Sequence, residues 1–157
     1  QSTRQTLIAQ GGRQTSLTEI LTMKRLLYIS TARSLLPPSE LDELLTKSRK
    51  ANAMADITGL LVVGGRRFLQ VLEGPEEAVA ETYARISRDP RHVALVKLHD
   101  KEVPMRAFGS WALGCEQGGV ASASASLEEQ VYAIIAPITD PTLRAYFMGF
   151  AETHTRM

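Results

Sequence analysis

Three side chains in this sequence have the makings of a chemical site. They are the phenol of Tyr28 in Leu26-Leu27-Tyr28-Ile29-Ser30, the amide of Gln70 in Arg67-Phe68-Leu69-Gln70-Val71-Leu72-Glu73-Gly74, and the amide of Asn52 in Ser48-Arg49-Lys50-Ala51-Asn52. Strand alternation puts Gln70 on an apolar face with Phe68 and Leu72. A buried amide must find partners for two donors and one acceptor, or it costs roughly 1 to 3 kcal/mol per group left unpaired. A buried tyrosine likewise needs a partner for its hydroxyl. A phenol and amides on an apolar face suit a flat ligand with polar edges, and they do not suggest hydrolysis.

The elements that must position these groups follow from periodicity. Ile57-Thr58-Gly59-Leu60-Leu61-Val62-Val63 reads as the strand preceding that of Gln70. Gly64-Gly65 is predicted as a two-residue hairpin loop, because glycine tolerates positive φ without steric cost. That register opposes Val63 to Arg66, Leu61 to Phe68, Gly59 to Gln70 and Ile57 to Leu72, all on one face, with room for a flat group at Gly59. Leu41, Leu44, Leu45 and Ser48 form a helical stripe after Pro37-Pro38, with Ser39 and Asp42 spaced as a capping box and an end near Ala51. Gly74-Pro75-Glu76-Glu77 opens a second helix, whose inner face is Ala78, Val79, Thr82, Tyr83 and Ile86, and Asp89-Pro90 stops it. His92 to Val103 reads as a long strand that breaks at Pro104, and a last strand carries Trp111 to Cys115.

The resulting order, βαββαββ, predicts an α+β, ferredoxin-like sandwich, since right-handed crossovers place both helices on one face of the sheet. The other face, with Leu60, Val62, Leu69 and Val71, is also apolar and needs a cover. A Ser/Ala/Gly linker over 118–126 leads to two helices. Leu127, Val131, Ile134 and Ile135 mark the first. Asp140 caps the second, Pro141 begins it, and Leu143, Tyr146, Phe147 and Phe150 follow at helical spacing. This pair, within 127–157, is expected either to pack on the bare face or to join two subunits. Residues 1–22, rich in Gln, Thr, Gly and Ser, read as an extension or an added tail, with Met23 as the expected natural start.

Composition sets wider bounds. With 157 residues, 44% hydrophobic and 22% charged, the chain is long enough for one good core. The net charge of +1 comes from scattered basic residues, which gives no nucleic-acid footprint. Cys115 is the single cysteine, so an intrachain disulfide or a thiolate metal cluster is excluded and no metal is expected. No 18-residue apolar run or signal peptide is present, and the expectation is a cytoplasmic protein with no membrane partner.

Leu27-Tyr28-Ile29-Ser30, Ser48 to Asn52, Ile57-Thr58-Gly59-Leu60-Leu61, Phe68 to Gly74, Arg85-Ile86, Asp89-Pro90-Arg91-His92 and Arg106-Ala107-Phe108-Gly109-Ser110-Trp111 together resemble, in order and spacing, a BLUF domain, the sensor of blue light using FAD. The resemblance covers roughly 24–117, and a flavin-binding domain is expected over 23–117. It implies an isoalloxazine ring held between Leu44 and Ile86, with Asn52 on its pyrimidine edge and Ser48 close by. Arg91 and His92 match positions near the flavin tail and ring, and Phe68, Arg85 and Asp89 complete the implied cofactor-binding set. It also implies that Tyr28 gives up an electron and a proton in light, while the Gln70 amide reorients or changes tautomer. Trp111 matches a tryptophan that enters or leaves the pocket with light. One departure is Leu113, where many members carry a methionine, so any scheme that needs a sulfur contact there does not carry over.

Bland readings stand beside each of these. Leu44 and Ile86 suit any such core, Trp111 suits core packing, and Arg85, Asp89 and Arg91 could form a solvated charge cluster. An acylphosphatase-like hydrolase would recruit Arg91 and Asn52, and a ligand-free interaction module would need only the C-terminal helices. The reading that uses Tyr28 and Gln70 is a photoreceptor, not an enzyme, without its own catalytic output domain, acting through a homo-oligomer or through a signalling partner in trans.

Overall fold

A computed structural model describes residues 23–109, 114–118 and 126–154. The elements run β1 (Met23–Ala32), α1 (Pro38–Met54), β2 (Thr58–Gly64), β3 (Arg67–Pro75), α2 (Glu76–Ser87), β4 (His92–Val103), β5 (Gly114–Gly118), α3 (Leu127–Ile135) and α4 (Pro141–His154). Strand order is β4-β1-β3-β2-β5; the first four are antiparallel neighbours and β5 runs parallel to β2. This is the expected α+β, ferredoxin-like sandwich. Its functional consequence is that β1 and β3, distant in sequence, lie side by side at the centre.

Alternation along β1 and β3 divides the core. Leu26, Tyr28 and Leu72 pack with Val79 of α2, while Phe68, Leu61 and Val63 pack with Leu41 and Leu45 of α1. On the opposite face Leu27, Leu60, Val62, Leu69 and Val71 pack under Leu127, Val131 and Ile135 of α3 and Leu143, Phe147 and Phe150 of α4. The C-terminal pair therefore covers the bare face. Tyr146, expected on the inner stripe of α4, is 38% exposed, because the buried positions follow Leu143, Phe147, Phe150 and Ala151.

Local expectations were corrected in three places. The hairpin loop is Gly65-Arg66, with Gly64 paired to Arg67 as the last ladder position and Gly65 alone at positive φ, 60°. Gly64 is needed in the strand because a Cβ there would lie 2.5 Å from the His154 ring of α4. The register accordingly moves by two: Leu61 opposes Gln70 and Gly59 opposes Leu72. A slip of two leaves every side chain on its expected face. Gly59 makes no room for a ligand, since a Cβ there would fall 1.9 Å from the Val71 carbonyl oxygen; its role is close backbone approach.

The helix ends differ as well. Pro37 occupies the N-cap of α1 with no side-chain cap, and Ser39 lies inside the first turn, so the Ser39 and Asp42 capping box does not form. Pro38 at the first helical position loses no hydrogen bond, as that N–H has no helical acceptor. The helix continues past Ala51 to Met54 because no glycine or proline interrupts it, and Asp56, at φ 60°, turns the chain toward β2. The capping box forms instead at α3, where Ser126 and Glu129 bond each other's backbone N–H. The last strand is described over Gly114–Gly118, and its expected start at Trp111 lies outside the described residues, as do Leu113 and most of the expected linker, 119–125. Among the described residues no helix is long and apolar enough to cross a membrane.

Candidate functional site

The two clusters on the helix face are separated by a cavity of about 310 Å³ between α1 and α2. Tyr28 and Ser30 of β1, Leu61 of β2, and Phe68 and Gln70 of β3 line it from the sheet. Leu44, Ser48 and Asn52 line it from α1, and Thr82, Arg85 and Ile86 from α2. Asp89 and Arg91, between α2 and β4, and His92, the first residue of β4, close one end. All the cofactor-contact residues named from sequence, and Tyr28 with them, thus border one space.

Tyr28 and Gln70 are direct cross-strand partners in the β1/β3 ladder. The Tyr28 hydroxyl donates to Gln70 Oε1, and both side chains are buried. Burial pushes the phenol's pKa far above its usual value, and Tyr83, whose ring stands edge-on at 5.1 Å, pushes it the same way. At neutral pH the phenol keeps its proton, so Gln70 receives a hydrogen bond through its oxygen.

The far end is more polar. Ser30 Oγ lies 3.3 Å from His92 Nδ1, and the His92 ring meets Phe68 edge-on at 5.3 Å. Burial lowers the His92 pKa; Asp89 opposes that and Arg91 reinforces it, leaving a neutral imidazole at pH 7. Asp89 is held by Arg91 through Nε and a terminal nitrogen at 2.7 Å, and this charge-assisted bonding takes its carboxyl down to about 2. Arg85 and Arg91 are exposed, so the solvated-cluster reading describes their outer side while their inner side borders the cavity.

A flat cofactor with an anionic tail fits this donor set. Leu44 and Ile86 give apolar walls on opposite helices, Asn52 and Gln70 place amides at the buried end, and guanidinium groups stand at the exposed end where phosphates would reach water. The volume lies within the roughly 300 to 1,000 Å³ of ordinary ligand sites.

Sequence reasoning missed several residues. Ser30 borders the cavity two positions after Tyr28, a spacing that alternation alone could have flagged. Lys47, exposed and next to Ser48, borders it from α1. Glu73 is fully buried on the other face of β3, where its carboxylate accepts from Arg25 Nε at 2.7 Å and from the backbone of Ala107 and Phe108. A carboxylate alternating with Leu69 and Val71 was its sequence signal. Trp111 and Leu113 lie outside the described residues.

Comparison with known proteins adds a second line. The family BLUF, described as sensors of blue-light using FAD, matches residues 23–114. The blue light- and temperature-regulated antirepressor BluF of Escherichia coli (strain K12) is 39% identical over 84 residues, covering 54% of this chain and 21% of that protein. Photoactivated adenylate cyclase subunit beta of Euglena gracilis is 32% identical over 131 residues, covering 83% of this chain and 14% of that protein. The chain thus spans only a small part of either curated relative. The dark-state structure of BlrB, a BLUF protein, superposes with a TM-score of 0.64 at 23% identity, covering 85% of this chain and 98% of that one, which shows a shared fold. The match over 23–114 sets aside the hydrolase and the ligand-free module. A family match that spans β1 to β4, both helices on their face and the cavity between them places this chain in the BLUF family, whose members are sensors of blue light and whose cofactor is FAD.

Proposed function

We propose that Tyr28 and Gln70 are the light switch of this sensor, and that the sheet passes their state to α3 and α4 and from there to a partner. The observation that carries this reading is the buried phenol-amide pair at the floor of the cavity. FAD bound there supplies a blue-absorbing ring that takes up an electron and a proton when excited. Leu44 and Ile86 would hold the ring between the helices, Asn52 and Ser48 would orient its polar edge, and Phe68 would supply an apolar wall from the sheet. Arg85, Asp89, Arg91 and His92 serve the tail and the ring's outer side.

In the dark, Tyr28 keeps its proton on the hydroxyl and donates a hydrogen bond to Gln70 Oε1. An amide carries a donor and an acceptor on one rotatable group, so turning it over, or moving a proton within it, stores a new hydrogen-bond pattern with no covalent change. Burial excludes the water that would otherwise satisfy either orientation equally. Trp111 is assigned the response to that change. Output runs through a signalling protein in trans or a homo-oligomer, and the exposed tyrosines of the C-terminal pair, Tyr132 at 56% and Tyr146 at 38%, offer contact groups for either.

The test is Gln70→Leu, which keeps the volume and removes the amide. It should bind FAD and form no red-shifted state after blue light; a normal red-shifted product would eliminate the amide switch. Asn52→Ala separates binding from switching. It should weaken FAD binding by about 1 to 3 kcal/mol, roughly 5- to 150-fold, if a flavin polar group loses its partner. Unchanged affinity in a titration would remove Asn52 from the site.

A further inference from the structure

Three positions along the antiparallel β1/β3 ladder from the Tyr28 and Gln70 pair, on the opposite face of the same two strands, Arg25 and Glu73 form another cross-strand pair. Both are buried, at 6% and 0% exposure. Arg25 is shared. Its Nε donates to Glu73 at 2.7 Å, while a terminal nitrogen donates to Asp140 Oδ2 at 3.0 Å. The other oxygen of Asp140 accepts from Thr142 N at 2.9 Å and Leu143 N at 3.3 Å, capping the first turn of α4. Lys101 of β4 also stands 3.8 Å from Oδ2. Burial alone would raise the Asp140 carboxyl, but those amides and the nearby cations more than offset it, so Asp140 is anionic at neutral pH.

We propose that Arg25 is the positioning residue through which β1 and β3 hold α4, with Asp140 as its receiving group. A buried ion pair is weak evidence for stability, since desolvation cancels most of the Coulomb gain, and its best-attested use is fixing one arrangement against another. The guanidinium is a rigid planar fork, so its two bonds cannot be adjusted independently. A displacement of β3 against β1 that re-aims Arg25 toward Glu73 therefore changes its bond to Asp140. Glu73 strengthens the grip at a second point, because the Phe108 backbone it holds carries a ring packed edge-on against Phe147 of α4 at 6.1 Å. Strand movement thus reaches both the first turn and the middle of the helix.

This inference rests on the Gln70 switch, and the experiment keeps the two apart. Asp140→Asn retains an oxygen to cap α4 but removes the charge that Arg25 binds. The full FAD-loaded chain is measured in darkness and under blue light, by absorption and by amide hydrogen exchange over residues 141–154, with the dark melting temperature as a check on folding. In the wild type, exchange in the first turn of α4 should change about 5-fold or more on illumination, the scale of ordinary coupling between sites. In Asp140→Asn the red shift should persist while that difference falls below about 2-fold. Arg25→Lys keeps the charge and loses the fork, and should show the same loss even if Asp140→Asn folds poorly. A wild-type chain with a red shift but no exchange difference in α4, or either variant with an undiminished difference, would overturn the proposal and leave the switch standing. A wild-type chain with no red shift would instead refute the switch, and this proposal with it.

Discussion

Tyr28→Phe is expected to retain FAD and to lose the reversible light-induced red shift completely. The ring is 1% exposed and packs edge-on with Tyr83, and phenylalanine preserves that packing, so the cavity should keep its shape. What is removed is the hydroxyl. Its loss takes away the oxidisable, proton-bearing group and the bond that orients Gln70, leaving Oε1 without that donor at a cost of roughly 1 to 3 kcal/mol. Flavin content after purification and absorption spectra before and after blue light check the two halves separately. Bound FAD with a normal photocycle would show that another residue supplies the proton, whereas loss of FAD would show that the phenol is mainly structural.

The pairing behind that prediction was only half legible in the sequence. Alternation in 26–30 and 67–74 placed Tyr28 and Gln70 on apolar strand faces, but nothing local stated that β1 and β3 are neighbours. That adjacency follows from topology: each crossover leaves a gap in the sheet that the other unit's strand fills. The hairpin register came out two residues wrong because two adjacent glycines both satisfied the turn rule. The choice between them is made by His154, about 90 residues away, whose packing against Gly64 forbids a side chain there. Gln70 keeps its expected face because an even slip preserves faces. The α1 cap failed for a local reason, since Pro37-Pro38 already fixes the entry and leaves Ser39 two residues too deep. Glu73 was visible only as a misplaced charge, because its partners Arg25, Ala107 and Phe108 come from distant segments.

The C-terminal helices pose the larger energetic question, and Phe147→Ala should answer it. Phe147 is fully buried between α4 and the sheet, edge-on to Phe108, in the cluster that joins Leu27, Leu69 and Val71 to both C-terminal helices. Removing a buried phenyl group costs its transfer free energy and leaves a cavity, together about 3 to 5 kcal/mol. Total stabilities of such domains are about 5 to 15 kcal/mol, so one side chain accounts for a large share. At roughly 2 to 4 °C per kcal/mol for a chain of this size, the melting temperature should fall by about 6 to 20 °C. The cavity between α1 and α2 lies on the other face of the sheet and is not lined by Phe147, so below that temperature FAD binding and the red shift should be unchanged. A melting temperature lowered by less than about 2 °C would mean that α3 and α4 open independently of the sheet. A helical pair that opened on its own could not read the strand positions, because a strand shift would be absorbed by local unfolding instead of being passed on. The size of the drop therefore decides whether the cover over the second face is rigid enough to transmit the state of Gln70.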